Sequence, residues 1–298
     1  MIEYNSNKNL LRFFLITLLW TWIAGFIPVI LGIADTAIGN VIFYFGGGAP
    51  SVVALFLVFK TYQKEARREY FNRCFSLKNA GVKWPIWTIL FFSAITVIGI
   101  YIGVVLCGYE MPEMQWIRMA IEQPYIIPLL LFFSIISGPL NEEFGWRGYS
   151  LDRLLVRFGF MRASFILGFI WAIWHLAWYF TPGQAQYDLL QSSLFEAFMF
   201  IPSTIAVSFV VSFVYINSKR SILAGAFVHM TFNFLTSQLL APYSIEISSI
   251  IRNVTIVFSV TVIVYCLCAE KFKGKVQWAI EDIKKECEKY GFHQCQSP

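Results

Sequence analysis

Apolar positions along this chain come in long runs. Eight of these have the length of a membrane span: 10–33, 41–59, 85–107, 125–141, 163–180, 197–216, 222–240 and 250–268. About 20 predominantly apolar residues carry a helix across the hydrocarbon core of a bilayer. The pattern predicts an all-α fold, a polytopic membrane protein with about eight transmembrane helices around a catalytic cavity that faces the cytosol. These helices form one domain, residues 1–270, with the motif-bearing core at about 125–240, and a polar tail follows at 271–298. The first run is longer than a signal-peptide core and lacks a small-residue cleavage site, so it is expected to be retained. The second is broken by Gly46-Gly47-Gly48 and Pro50. A helix broken at membrane depth must satisfy its freed backbone groups through a neighbour or through water. Both a cavity wall and simple kinked packing fit that break.

Polar positions between the runs set the orientation. The connections 60–84, 142–162 and 217–221 carry Lys60, Lys64, Arg67, Arg68, Arg73, Lys78, Lys83, Arg147, Arg153, Arg157, Lys219 and Arg220. The alternate connections are acidic or neutral, with Glu110, Glu113, Glu122 and Asp188. Basic loops stay in the cytosol, which puts both termini there. In the tail, Val276, Ile280, Ile283 and Cys287 share one helical face. An interfacial amphipathic helix and a solvated, frayed tail both fit that pattern. No internal repeat of the transporter kind is present.

Composition agrees with the pattern. Residues of the types AVILMFWYC make up 57% of the 298, charged residues 14%, and mean hydropathy is +0.62, which excludes an ordinary soluble domain. The net charge of +5 lies in short loops without a recognition motif, so no nucleic-acid partner is expected. The six cysteines form no CxxC pair and read as reduced thiols.

A few polar residues interrupt the apolar runs. Ionisable groups at membrane depth are costly and mark function by default. Glu142 and Glu143 are followed by Arg147. Glu143 and Arg147 are spaced i,i+4 and can pair, whereas Glu142 points about 100° away and is left free. Two solvated charges in a cytosolic loop fit the same residues. His175 follows Trp171 by one turn in the fifth run. His229 and Asn233 are one turn apart in the seventh. Taken singly, each is accounted for by an ordinary membrane hydrogen bond. The third histidine, His293, is in the tail. Glu142 sits at the cytosolic end of its run and His175 near the middle of its own. To meet, the fourth helix must continue past Glu142 or the fifth must begin in the cytosol.

These three motifs, Glu-Glu-x-x-x-Arg, aromatic-x-x-x-His and His-x-x-x-Asn, resemble those of the CPBP/ABI intramembrane proteases, and in particular the type II CaaX prenyl endopeptidases. Many members have Phe where this chain has Trp171. The resemblance covers about 142–233 and implies cleavage of prenylated CaaX C-termini with release of the aaX tripeptide. It implies that Glu142, helped by His175, activates water, that His229 and Asn233 stabilise the oxyanion, and that Glu143 and Arg147 orient the site. Physical chemistry fits those roles. Water needs a base within hydrogen-bond reach, a desolvated carboxylate is a stronger base than a hydrated one, and an oxyanion needs preorganised donors. The implied partners are a prenylated CaaX protein or peptide and membrane lipid. Phe144, Trp146, Trp171, Trp174 and Trp178 either line an isoprenyl groove or face lipid.

The resemblance favours a glutamate-dependent mechanism without a cofactor. The alternative is a zinc site of Glu142, His175 and His229 with Glu143 as base, although no HExxH is present. Two other functions compete: a related protease that processes a bacteriocin or another peptide, and a non-enzymatic transporter or scaffold. The absence of repeats weighs against the last. The host membrane is the plasma membrane in a prokaryote or the endoplasmic reticulum in a eukaryote.

Overall fold

The computed structural model describes residues 6–240 and 244–290, so His293 and Cys295 lie outside the described residues. The elements are α1 (Ser6–Ile30), α2 (Ala37–Gly47), α3 (Ala49–Thr61), α4 (Lys64–Phe75), α5 (Leu77–Ala80), α6 (Lys83–Tyr101), α7 (Gln115–Glu122), α8 (Ile126–Ile136), α9 (Pro139–Glu143), α10 (Asp152–Trp174), α11 (Ala185–Ser192), α12 (Leu194–Asn217), α13 (Ile222–Phe234), α14 (Ile245–Cys268) and α15 (Glu270–Lys289). Three π-helical segments, Ile102–Leu106, Phe144–Leu151 and Leu235–Leu239, and one 3-10 turn, His175–Phe180, extend these helices. No strand occurs among the described residues, and the fold is an all-α, polytopic membrane architecture.

Among the described residues five helical stretches are long and apolar enough to cross a membrane: Lys8–Ile30, Lys83–Leu106, Ile126–Phe180, Leu194–Asn217 and Ile245–Cys268. The α2–α3 pair, bent by 48°, makes a sixth if it is counted as one span. This set differs from eight separate runs in two places. The fourth and fifth runs join into the single 55-residue stretch 126–180. The seventh, helical from Ile222 through the π-helical segment that ends at Leu239, is not among these stretches.

The 126–180 stretch folds back on itself. Trp171 donates a hydrogen bond to Glu142, 29 residues earlier, at 2.6 Å. In a straight helix that separation would be about 43 Å. The reversal falls at Gly159, where φ is +70°, a conformation open to glycine. The segment 147–162, expected as a solvated connection, is helical; Arg147, Asp152 and Arg153 are buried, whereas Arg157 and Arg162 are exposed. Arg153 donates to the Tyr149 carbonyl and the Tyr62 hydroxyl and lies over the Tyr149 ring. Thus the fourth helix does continue past Glu142.

The expected basic loop at 60–84 is also helical. It buries Ala66, Tyr70, Arg73 and Cys74, and the Tyr70 hydroxyl donates to the Phe144 carbonyl at 2.7 Å. Burial pushes the Cys74 thiol up to about 12. Cys74, Cys107, Cys266 and Cys268 are free thiols, as expected; Cys287 departs from that reading in being disulfide-bonded.

An ion-pair cluster closes the basic end. Asp152 accepts from Arg73 at 2.7 Å and from Arg220 at 2.6 Å. Arg220, 1% exposed, also pairs with Asp282 and Glu286 of α15 at 2.6 and 2.9 Å. The tail helix therefore begins at Glu270 and packs on α10 and α12 through Phe272, Ala279, Ile283 and Cys287, so it is docked on the protein and not frayed. Arg220→Ala is expected to cost about 3–5 kcal/mol, because it leaves buried Asp152 half-paired. Chemical denaturation in detergent measures this.

The break in the second run is satisfied by its neighbour. The Thr21 hydroxyl of α1 donates to the Gly46 carbonyl at 2.9 Å. A Cβ at Gly46 would fall 2.6 Å from Ala24 Cβ, so glycine permits the close crossing. Phe43, Tyr44 and Gly47 also line a cavity, so the broken helix is both kinked packing and cavity wall.

Candidate active site

Glu142 and Glu143 end the short helix α9, which starts with Pro139 in its first turn. They are 4% and 0% exposed. Pointing about 100° apart, they meet different neighbours. Glu142 Oε2 accepts from Trp146 Nε1 at 3.0 Å and from Trp171 Nε1 at 2.6 Å. Among the described residues nothing donates to its Oε1, and the side chain lines the cavity. Glu143 Oε1 is shared between Arg147 Nη1 and His229 Nδ1, each at 2.9 Å. Arg147 is fully buried, lies over the Trp171 ring at 5.0 Å and reaches Ser208 Oγ at 3.4 Å. The pairing deduced from i,i+4 spacing is therefore present, and Glu142 is the free carboxylate. The π-helical segment Phe144–Leu151 follows at once; such wide turns concentrate at functional sites.

His175 opens the 3-10 turn that follows α10. Its Nδ1 lies 2.8 Å from the Trp171 carbonyl, which can only accept. Nδ1 therefore carries the proton, and the neutral ring presents Nε2 as an acceptor. Trp174, Trp178 and Phe200 pack around the ring with centroids 4.7, 5.5 and 5.1 Å away. Trp171 is thus a hub: its indole holds Glu142, its carbonyl holds His175, and its ring meets His229 at 5.0 Å.

His229 and Asn233 project from one face of α13 toward Gly138, at the break between α8 and α9. A Cβ built on Gly138 would sit 2.7 Å from Asn233 Nδ2 and 3.0 Å from His229 Nε2. The missing side chain keeps open a space faced by both nitrogens. All six expected residues are brought together: Glu142, His175, His229 and Asn233 line one cavity, and Glu143 with Arg147 stands behind it.

The cavity has a volume of about 750 Å³, within the range of ligand sites. It is walled by the C-terminal ends of α10 and α13 and the N-terminal halves of α12 and α14, and reaches Ala185, Asp188 and Ser244. Ala185 and Asp188 are exposed, as are Tyr44, Ser137, Ser237, Ile245 and Ser248, so the cavity opens toward this end of the helices. That end is opposite the basic cluster, α15 and the start of α1.

Among the described residues no group of three or more His, Cys, Asp or Glu side chains is placed to hold a metal ion. Of the aromatic residues, Trp146, Trp171, Trp174 and Trp178 are buried at 0 to 9% exposure, and Trp171, Trp174 and Trp178 line the cavity, the first of the two alternatives above. Sequence reasoning missed the indole donors of Trp146 and Trp171 and the space at Gly138. The i,i+4 spacing of Glu142 and Trp146 was the available signal for the first.

Residues 124–235 match the family described as Type II CAAX prenyl endopeptidase Rce1-like. Over 241 residues the chain is 26% identical to "CAAX prenyl protease 2" of Methanococcus maripaludis, a match that covers 80% of this chain and 87% of that protein. The family match contains all six site residues.

Proposed function

We propose that this chain, whose residues 124–235 match the Rce1-like type II CAAX prenyl endopeptidase family, hydrolyses prenylated CaaX C-termini with Glu142 as general base and without a metal. The observation that carries this reading is the Glu142 carboxylate: fixed through Oε2 by two indoles, bare at Oε1, and directed into the cavity beside His175. A water held between Oε1 and His175 Nε2 would lose its proton to Glu142 as it attacks the carbonyl before the aaX tripeptide. The same carboxyl group then protonates the leaving amine. Asn233 Nδ2 and His229 Nε2 face one small space and suit the developing oxyanion. To donate from Nε2, His229 must carry a proton on both nitrogens, since Nδ1 already donates to Glu143. The Glu143 carboxylate then balances that charge.

Trp171→Phe tests the hub. It keeps the ring and removes the indole donor, a loss of one hydrogen bond to a charged group. The expected fall in kcat is about 10- to 100-fold, with KM little changed, in cleavage of a fluorogenic farnesylated CaaX peptide in liposomes. The same assay with a strong chelator is expected to give undiminished activity; loss restored by zinc would reverse the metal-free reading.

The placement of the cavity mouth favours a second reading. Prenylation occurs on cytosolic C-termini, so the CaaX reading needs the mouth on the cytosolic side. The basic cluster, by the charge rule, puts the opposite end there. Two free, exposed thiols mark the ends: Cys107 follows the segment beside Ile247 near the mouth, and Cys268 adjoins α15. Single-cysteine proteins keeping one or the other, treated on intact cells with an impermeant maleimide, decide between them. Labelling at Cys268 alone supports the CaaX substrate. Labelling at Cys107 alone turns the reading to a peptide presented outside the cytosol, such as a bacteriocin precursor.

A further inference from the structure

The cavity wall holds one cationic side chain, Arg252 of α14; among the described residues no Lys and no other Arg lines it. The side chain is 11% exposed. Its Nη2 pairs with the Glu196 carboxylate and its Nη1 donates to the Glu196 carbonyl at 3.3 Å. Ser249 Oγ donates to the same carboxylate at 2.6 Å. Glu196 is not part of the cavity wall, so it anchors the guanidinium from behind. A guanidinium has five N–H donors. The Nε proton is buried without an acceptor among the described residues, and one proton on each Nη is left for a ligand. A cation with donors to spare at the edge of an apolar cavity suits a carboxylate ligand, which such a fork binds in bidentate fashion.

The spacing fits one carboxylate in particular. The His175 ring meets Phe200 at 5.1 Å, and Phe200 is one helical turn, about 6 Å, from Glu196. The guanidinium therefore lies on the order of 10 Å from the imidazole. Three extended residues span about 10 Å, the length of the peptide released beyond the scissile bond. We propose that Arg252 receives the free C-terminal carboxylate of the substrate and so fixes the cut three residues from the chain end. This specificity role rests on the endopeptidase reading given above. Arg252 touches the substrate terminus and takes no part in bond cleavage.

The test uses the full-length protein in liposomes and two farnesylated peptides that differ only at the C-terminus, one a carboxylate and one a carboxamide. Wild type is expected to cleave the acid with kcat/KM about tenfold or more above the amide, the difference lying in KM, as loss of one charge-assisted contact implies. Arg252→Gln is expected to bring the acid down to the amide's value and leave the amide unchanged. Arg252→Lys, which keeps the charge without the fork, is expected to recover part of the preference and carries the same comparison if the Gln variant does not fold. Equal cleavage of acid and amide by wild type overturns the proposal. So does an Arg252→Gln protein that keeps the wild-type ratio or loses both activities in proportion, as a purely structural ion pair would. Wild type that cleaves neither peptide overturns the endopeptidase reading as well.

Discussion

Glu142→Gln is expected to lower kcat for the farnesylated peptide by about 10²–10⁴-fold, the usual worth of a general base, while leaving the protein as stable as wild type. The reason is local. The amide oxygen of glutamine can still accept from Trp146 Nε1 and Trp171 Nε1, now at 3.0 and 2.6 Å from Glu142 Oε2. The frame therefore survives and only the basic group is lost. Glu143→Gln is the informative contrast. Glu143 Oε1 holds both Arg147 and His229, and Arg147 is fully buried. Removing that charge leaves a buried cation without its partner, at about 3–5 kcal/mol. One variant should lose rate without a shift in melting temperature, and the other should lose both. Cleavage that survives Glu142→Gln would remove Glu142 from the role of base.

Gly138→Ala is expected to be nearly as damaging, by about 10²–10³-fold in kcat, the range seen when one oxyanion donor is lost. The added methyl would lie 2.7 Å from Asn233 Nδ2 and 3.0 Å from His229 Nε2, inside contact distance of both. Asn233 and His229 have to move apart, or the methyl fills the space intended for the oxygen. Asn233→Ala provides the comparison. If the methyl acts through the oxyanion site, the double variant loses little more than either single one, because both remove the same stabilisation. Additive losses would place the effect of Gly138 elsewhere.

Much of this site was legible in the sequence because its key pairings are local. The i,i+4 rule alone separated Glu143, bound to Arg147, from Glu142, and it put His229 and Asn233 on one face. The membrane fold followed from apolar run length. Depth was not legible. A stretch with Arg147, Arg153 and Arg157 reads as solvated; Arg157 is indeed exposed, but partners distant in sequence, Ser208 for Arg147 and Tyr62 for Arg153, lie inside the protein. Trp171 shows the same limit. As an aromatic in a hydrophobic run it is indistinguishable from lipid-facing bulk, and its donor role depends on a carboxylate 29 residues away. Gly138 and Arg252 carry no motif, since one acts by the room it leaves and the other by standing at a particular distance from the histidine.

The opposite placement of the cavity mouth and the basic end has a practical consequence for reconstitution. Ala185 and Asp188 on the cavity wall and the α15 cluster at Arg220 lie toward opposite ends of α10 and α12. In sealed vesicles, added peptide will reach only molecules inserted with the mouth outward. Apparent specific activity then reports insertion sidedness as much as chemistry, and it should rise when the vesicles are permeabilised. A reporter or surface tether attached beside α15 leaves the mouth unobstructed.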